Sequence, residues 1–166
     1  MLFRSACDSL FFIANTPTHF ALDVNFLKLS QYSSAAKLNL MTHELGHALG
    51  FGLGWVVNNN YLDGTLYPHT LNTYNGLVPT LVDNTVIPVE SSGSSQTKNK
   101  HWEDNYRILN NGIVYPGISN DIMKRNLREN LIISPLTINY LVDIGYVAKN
   151  PGASEGNPIL VYPVQL

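Results

Sequence analysis

The chain has 166 residues, of which 45% are hydrophobic, and this is enough to build one domain around a buried core. Only 13% of the residues are charged and the formal net charge is -2, which excludes proteins that bind nucleic acids or anionic membranes through a strong positive charge. No stretch reaches the roughly 18 apolar residues that a transmembrane helix requires.

The N-terminal segment has the pattern of short β-strands. Strands are predicted for LFFIA, which begins at Leu10, and for FALDVNF, which begins at Phe20; the turn-prone residues 15–17 separate them. A signal peptide is not expected, because Asp8 interrupts the apolar stretch that it would need. The single cysteine, Cys7, excludes an intrachain disulfide.

The clearest predicted helix lies between Ser34 and Leu49. Ser33 or Ser34 can cap its N-terminus, and the glycine-rich segment 50–54 ends it. Its apolar residues recur at steps of three and four, which is typical of one face of an amphipathic helix. We expect this face to pack in the core and the opposite face to stay available for binding; the apolar residues are Leu38, Met41, Leu45 and Ala48.

The rest of the chain contains one further predicted helix. Residues 55–100 are rich in Tyr, Asn, Pro and Gly, which predicts a long and mostly irregular insertion whose polar part, residues 91–100, is mobile. Ser134 and Pro135 then supply an N-cap and a first-turn proline, and Gly145 supplies a helix end. Residues 149–166 are predicted to form an extended tail.

The motif HELGH, residues 43–47, carries the strongest chemical signal. His43 and His47 are four residues apart, so both imidazoles project from one face of a helix and can bind one metal ion. Glu44 is adjacent to the first histidine, where a carboxylate can take a proton from a metal-bound water. The motif predicts a zinc site with two ligands and a general base.

A catalytic zinc ion usually has three protein ligands, so a third residue is required. The remaining histidines are His19, His69 and His101, and a downstream acid such as Asp63 is also chemically suitable. The residue types and their spacing leave these four alternatives open.

The order of motifs resembles that of the leishmanolysin-like peptidases of the metzincin superfamily. HELGHALGFG matches the start of the metzincin motif, but Leu53 stands where a simple metzincin has its third histidine. In the leishmanolysin-like group an insertion precedes a later His-Trp pair and a methionine turn. The matching segments here are His101-Trp102-Glu103, Asn120-Asp121-Ile122-Met123 and ISPLTINYLVDIGY. The resemblance implies His101 as the third zinc ligand and Met123 as the hydrophobic floor beneath the metal.

The resemblance also implies a fold class, α+β. The expected architecture is a metzincin-like zincin domain over residues 1–148, with a shortened N-terminal sheet, a zinc-binding helix, a long irregular insertion and a C-terminal helix. Residues 1–53 would form its upper part and residues 54–148 its lower part. Only about 33 residues precede the zinc-binding helix, so a partner chain or larger assembly is expected to complete the upper part, with FALDVNF as the edge strand that aligns a substrate.

The function implied is that of a zinc metalloendopeptidase acting on a protein or peptide substrate. The alternative is a structural or interaction module of a larger assembly, such as a virion, that keeps its zinc for folding and has little hydrolytic activity. Both interpretations favour a secreted or virion-associated protein over a cytoplasmic one. A further hypothesis is that the thiolate of Cys7 occupies the open zinc position and keeps the enzyme latent.

Overall fold

The chain combines helices with several small β-sheets, which confirms the predicted α+β class. A computed structural model describes residues 3–7, 12–13, 16–17, 20–78, 85–94, 98–108, 112–127, 130–148, 156 and 160–161. Within these residues, no helix is long and apolar enough to cross a membrane.

Two antiparallel strand pairs form the N-terminal part. Strand β1 (Phe3–Cys7) pairs with β4 (Phe20–Val24), and between them β2 (Phe12–Ile13) pairs with β3 (Thr16–Pro17). β1 was not predicted, and β4 is shorter than the predicted strand FALDVNF. It ends early because the Asn25 side chain accepts a hydrogen bond of 3.1 Å from the Lys28 N–H and so caps a short helix, α1 (Phe26–Leu29).

Helix α2 (Ser34–Ala48) has the predicted bounds. The Ser33 hydroxyl accepts a hydrogen bond of 3.2 Å from the Ala36 N–H, as an N-cap residue does. After the helix, Gly50 has φ of 106°, a conformation that glycine adopts at little cost. Strands β1 and β4 both pack against α2, so the N-terminal strands and the HELGH motif form one unit.

The expected packing face of α2 is wrong for three of its four residues. Leu38, Met41 and Leu45 are 66%, 45% and 42% exposed, and of the predicted stripe only Ala48 is buried. The helix instead turns the side that carries His43 toward the core. The physical reason is that the histidine side has its own partners in the domain, described below, whereas periodicity in the sequence registers only apolar residues.

Among its described residues the insertion is not mostly irregular, contrary to the prediction, and it contains a sheet and a helix. Its elements are β5 (Val57–Asn58), β6 (Tyr61–Asp63), a 3-10 helix (Gly64–Leu66), α3 (Pro68–Leu77) and β7 (Val86–Pro88), and the strands form an antiparallel sheet in the order β5-β6-β7. Helix α3 has no side-chain cap from its own N-cap residue. The Asp143 carboxylate accepts from the N–H groups of His69 and Thr70 at 3.0 and 2.8 Å instead. A cap supplied from so far along the chain leaves no local signal.

The C-terminal part is held by α4 (Pro135–Asp143), which packs against α3. Its bounds, its Ser134 cap and its first-turn proline confirm the second predicted helix. Short strands precede it: β8 (Arg107–Ile108), β9 (Val114–Tyr115) and β10 (Gly117–Ile118). In the predicted tail, β11 (Leu160–Val161) pairs with β10. Residues 149–155, 157–159 and 162–166 lie outside the described part, and the domain boundary at residue 148 remains a prediction.

The core next to α2 is largely aromatic. Phe51, which follows α2, lies with its ring centroid 4.9 Å from that of Trp55, 5.0 Å from that of Trp102 and 5.0 Å from that of Tyr140. The Tyr140 hydroxyl donates to the Gly50 carbonyl at 3.2 Å. This cluster ties α4 and the His101-Trp102 segment to the end of α2.

Candidate metal centre

Three histidines from two distant segments converge on one point. His43 and His47 lie one turn apart on α2, and His101 comes from the segment that follows the insertion. The Nε2 atom of His47 is 3.1 Å from the Nε2 atom of His43 and 3.1 Å from that of His101. One possible ligand atom from each residue lies within 4.8 Å of the other two, so this buried group could hold a metal ion.

Each of the three imidazoles is oriented by an oxygen acceptor at its other nitrogen. The Nδ1 atom of His43 is 2.7 Å from the Ile122 carbonyl oxygen, and that of His47 is 2.9 Å from the Phe51 carbonyl oxygen. The Nδ1 atom of His101 is 2.8 Å from Oε2 of Glu90. Because a carbonyl oxygen only accepts, Nδ1 carries the proton in His43 and His47, and their Nε2 lone pairs are free to bind a metal.

The chemistry of this donor set fits a divalent transition metal. The Nε2 lone pairs of His43 and His47 face one another at 3.1 Å and repel unless a cation lies between them. Two imidazole nitrogens about 2.0–2.1 Å from one tetrahedral zinc ion are about 3.3 Å apart, close to the observed separation. Imidazole nitrogen is a ligand that suits zinc, copper, iron and nickel.

Burial keeps the helix histidines in the neutral form that binds metals. Desolvation is the largest cause that lowers the pKa of His43, against smaller opposing effects of the Ile122 carbonyl and the Glu44 carboxylate. Desolvation also lowers the pKa of His47 well below its usual value, and the neighbouring His43 and His101 lower it further. Near neutral pH the His43 and His47 imidazoles are therefore neutral, which is the form that binds a metal.

Glu44 is half-buried and immediately follows His43 on α2. It lies close enough to His43 for its carboxylate to affect the pKa of that histidine. This is the position that the sequence motif predicted for a general base. Its catalytic role stays a prediction.

His101 is fixed by the main chain on both sides. Its carbonyl accepts from the Glu90 N–H at 2.9 Å, and the next N–H, that of Trp102, donates to the Met123 carbonyl at 3.1 Å. The Trp102 side chain is fully buried and its indole N–H donates to the Thr137 hydroxyl at 3.0 Å. The His-Trp pair thus joins the end of the insertion to the segment around Met123 and to α4.

Met123 lies directly against the helix that carries the first two histidines. It is fully buried, and a methyl group added at Gly46 would lie 2.4 Å from its Sδ atom and 2.9 Å from its Cε atom. Gly46 stands between the two histidines on α2, so the absence of a side chain there gives Met123 its place. The role of Met123 as the hydrophobic floor beneath a metal stays a prediction.

A buried carboxylate holds the segment that contains Met123. Asp121 is fully buried and accepts from the Met123 N–H at 2.6 Å and from the hydroxyls of Ser134 and Thr137. Burial raises the pKa of Asp121, and these hydrogen bonds oppose that rise. Because the Ile122 carbonyl accepts from His43, Asp121 helps to orient a candidate metal ligand through the backbone.

Gly46→Ala is expected to destabilise the protein by about 1–3 kcal/mol, because the new methyl group overpacks against Met123. Gly76→Ala is the matched control, since Gly76 lies in α3 with nothing within 4 Å of the added methyl. It is expected to stabilise by about 0.5–1 kcal/mol through helix propensity. Urea unfolding of both variants measures the difference. Equal effects of the two substitutions would contradict the contact between Gly46 and Met123.

The other candidate ligands do not join the cluster among the described residues. His69 is exposed at the start of α3, and the Asp63 carboxylate accepts from the N–H and hydroxyl of Thr65 at 3.1 and 2.6 Å. His19 and the side chain of Cys7 lie outside the described part of the chain, so the latency hypothesis stays a prediction.

Sequence reasoning missed the groups that orient the histidines. Glu90 follows an apolar strand and precedes a polar loop, which is an ordinary place for a surface charge. Burial raises the pKa of Glu90 to about 7, and the Arg125 guanidinium opposes that rise. The carbonyls of Phe51 and Ile122 carry no side-chain signal at all.

No protein-family model, curated protein or solved structure matches this chain. The converging nitrogens of His43, His47 and His101 are the metal-binding group found among the described residues.

Proposed function

We propose that this chain is a zinc-dependent endopeptidase in which His43, His47 and His101 bind the ion and Glu44 is the general base. The observation that carries the proposal is the convergence of three buried or half-buried imidazoles, each with its Nδ1 atom held by an oxygen acceptor. A carboxylate directly follows the first of these histidines. This combination supports a catalytic zinc site with three protein ligands and one position for water.

Zinc is the ion that this donor set favours. Three imidazoles supply nitrogen ligands only, which argues against calcium or magnesium, because those ions prefer oxygen. Two of the three Nε2 separations are 3.1 Å, close to the separation of two ligands of a tetrahedral zinc ion. Structural zinc sites are instead closed by four protein ligands, and the metal-binding group found among the described residues contains three.

In hydrolysis a bound zinc ion would supply a Lewis acid that polarises the scissile carbonyl and makes a water molecule more acidic. Glu44 takes a proton from the attacking water and later passes it to the leaving amine. His43, His47 and His101 hold their Nε2 lone pairs in place through the acceptors at Nδ1. The fixed geometry lowers the reorganisation that each step requires.

The family proposed is the leishmanolysin-like group of metzincins. Support comes from the order HExxHxxGF, insertion, His-Trp and methionine, together with two contacts: the packing of Met123 against Gly46 and the backbone hydrogen bond between Trp102 and Met123. The substrate would be an extended peptide that adds to the edge of β4, the strand that packs against α2.

The test is cleavage profiling of a library of synthetic peptides by mass spectrometry. Zinc-loaded protein is expected to cut peptides at internal bonds, a chelator to stop cleavage, and stoichiometric zinc to restore it. Zinc-loaded protein that cuts no peptide would refute the endopeptidase proposal and favour the alternative, a module that keeps zinc for folding.

A further inference from the structure

Glu90 distinguishes His101 from the other two histidines. The Nδ1 atoms of His43 and His47 face neutral carbonyl oxygens, whereas that of His101 faces a carboxylate oxygen at 2.8 Å. Glu90 is 2% exposed and lies two residues after β7, eleven residues before His101. A carboxylate that is buried to this extent loses its hydration, so it requires hydrogen-bonding or charged partners that offset this cost.

Main-chain contacts hold Glu90 opposite His101. The Glu90 N–H donates to the His101 carbonyl at 2.9 Å, and the Glu90 carbonyl accepts from the Asn99 N–H at 3.0 Å. These hydrogen bonds close the loop at its base. The backbone of Glu90 is therefore fixed beside that of His101, which places the carboxylate within reach of Nδ1.

Arg125 holds the far side of the same carboxylate. Its guanidinium lies 3.0 Å from Oε1 of Glu90 and donates to the Ser92 hydroxyl at 3.1 Å. A cation at this distance favours the ionised carboxylate and so opposes the burial that raises the pKa of Glu90. Glu90 is thus held on one side by Arg125 and on the other by the N–H of His101.

A carboxylate oxygen that accepts from Nδ1 has two effects on a metal-binding imidazole. It fixes the tautomer with the proton on Nδ1, so that the Nε2 lone pair faces the other histidines, and it makes Nε2 more basic than a neutral carbonyl does. The geometry points to Glu90 as a positioning residue that orients His101 and strengthens it as a metal ligand. This inference depends on metal binding by the three histidines, as in the proposed function, but not on peptide hydrolysis.

Measured zinc affinity tests the inference. The zinc Kd is obtained at one pH by competition with a chromophoric chelator, for wild type and for Glu90→Gln. Glu90→Gln is expected to raise the Kd by about tenfold to a hundredfold, the range typical of partners that hydrogen-bond to metal ligands.

Glu103→Gln is the matched control, because Glu103 is a buried glutamate two residues from His101 that pairs with Arg107 at 2.6 Å instead of with a histidine. This control is expected to lose stability but to keep the wild-type zinc Kd within about twofold, since no candidate ligand changes its partner. The same increase in Kd for both variants would overturn the inference, because the effect would then follow from any lost carboxylate. An unchanged Kd in Glu90→Gln would overturn it as well.

Replacing zinc with cobalt gives a spectrum that a loss of stability alone does not change. The visible d–d bands of the cobalt-loaded protein are expected to shift in Glu90→Gln and to stay in place in Glu103→Gln, because only the first changes a ligand's electronic character. If circular dichroism shows that Glu90→Gln does not fold, Glu90→Asp is measured in its place. Its zinc Kd is expected to lie above that of wild type, by less than the tenfold to hundredfold increase expected for Glu90→Gln. A wild-type Kd and cobalt spectrum in Glu90→Asp would then refute the role of Glu90.

The outcomes for Glu90 and for the proposed function are separable. If the protein binds zinc, Glu90→Gln raises the zinc Kd as expected and no peptide is cut, the positioning role of Glu90 stands and the endopeptidase proposal fails. If the zinc-loaded protein cuts peptides but Glu90→Gln binds zinc as tightly as wild type, the endopeptidase proposal stands and the positioning role of Glu90 fails.

Discussion

Glu44→Gln is expected to abolish peptide hydrolysis and leave zinc bound. Glutamine keeps the size of the side chain but cannot take up a proton, so the loss of general-base catalysis should lower kcat by about a hundredfold to ten-thousandfold. Glu44 is not one of the three converging ligands, and the zinc content and zinc Kd should therefore stay at wild-type values. Single-turnover cleavage of a peptide found by profiling, with zinc measured by elemental analysis, checks both halves of the prediction.

Met41→Gln is a suitable control for Glu44→Gln, because Met41 lies one turn earlier on α2 and is 45% exposed. A substitution on this exposed face should change kcat and stability little. Peptide cleavage by Glu44→Gln at the wild-type rate would show that another group serves as the base. Loss of zinc from Glu44→Gln would instead mean that the carboxylate contributes to the metal site itself.

The sequence predicted best those elements whose signals are local. Helices α2 and α4 begin where Ser33 and Ser134 provide side-chain caps, and both caps lie within three residues of the N–H groups that they satisfy. Helix α3 also has a first-turn proline, Pro68, but it lacks a local side-chain cap, because Asp143 from another helix satisfies its first N–H groups. Local patterns cannot register a cap that exists only after the chain has folded.

The same distinction explains the candidate site. The period of the α-helix pairs His43 with His47 from sequence alone, whereas His101 was one of four chemically equivalent candidates until the resemblance selected it. Glu90 had no signal, because its contact with His101 depends on the pairing of the two backbone segments that bracket a polar loop. Periodicity also assigned the packing face of α2 wrongly, since Gly46 carries no hydrophobic signal yet provides the contact with Met123.

The third histidine is the part of the site on which the proposed function depends most, and His101→Ala is expected to lose most of its zinc. A structural site with four ligands binds zinc with about 10–16 kcal/mol, or about 2.5–4 kcal/mol per ligand, so removing one ligand should weaken binding by about a hundredfold to a thousandfold. Elemental analysis after dialysis against a weak chelator measures the loss.

Thermal unfolding gives a second measure of the same effect, because an ion that binds only the folded state stabilises it by about 4 kcal/mol at a free concentration a thousand times its Kd. Zinc should therefore raise the Tm of wild type far more than that of His101→Ala.

His69→Ala is the control, since His69 is an exposed histidine at the start of α3 and its side chain was an alternative ligand on chemical grounds. If His101→Ala kept a full complement of zinc and His69→Ala lost it, the third ligand would be His69 of α3 and not His101. The opposite result would establish that the ligand set spans the insertion, and that zinc binding stabilises the contact between α2 and the segment that returns from it.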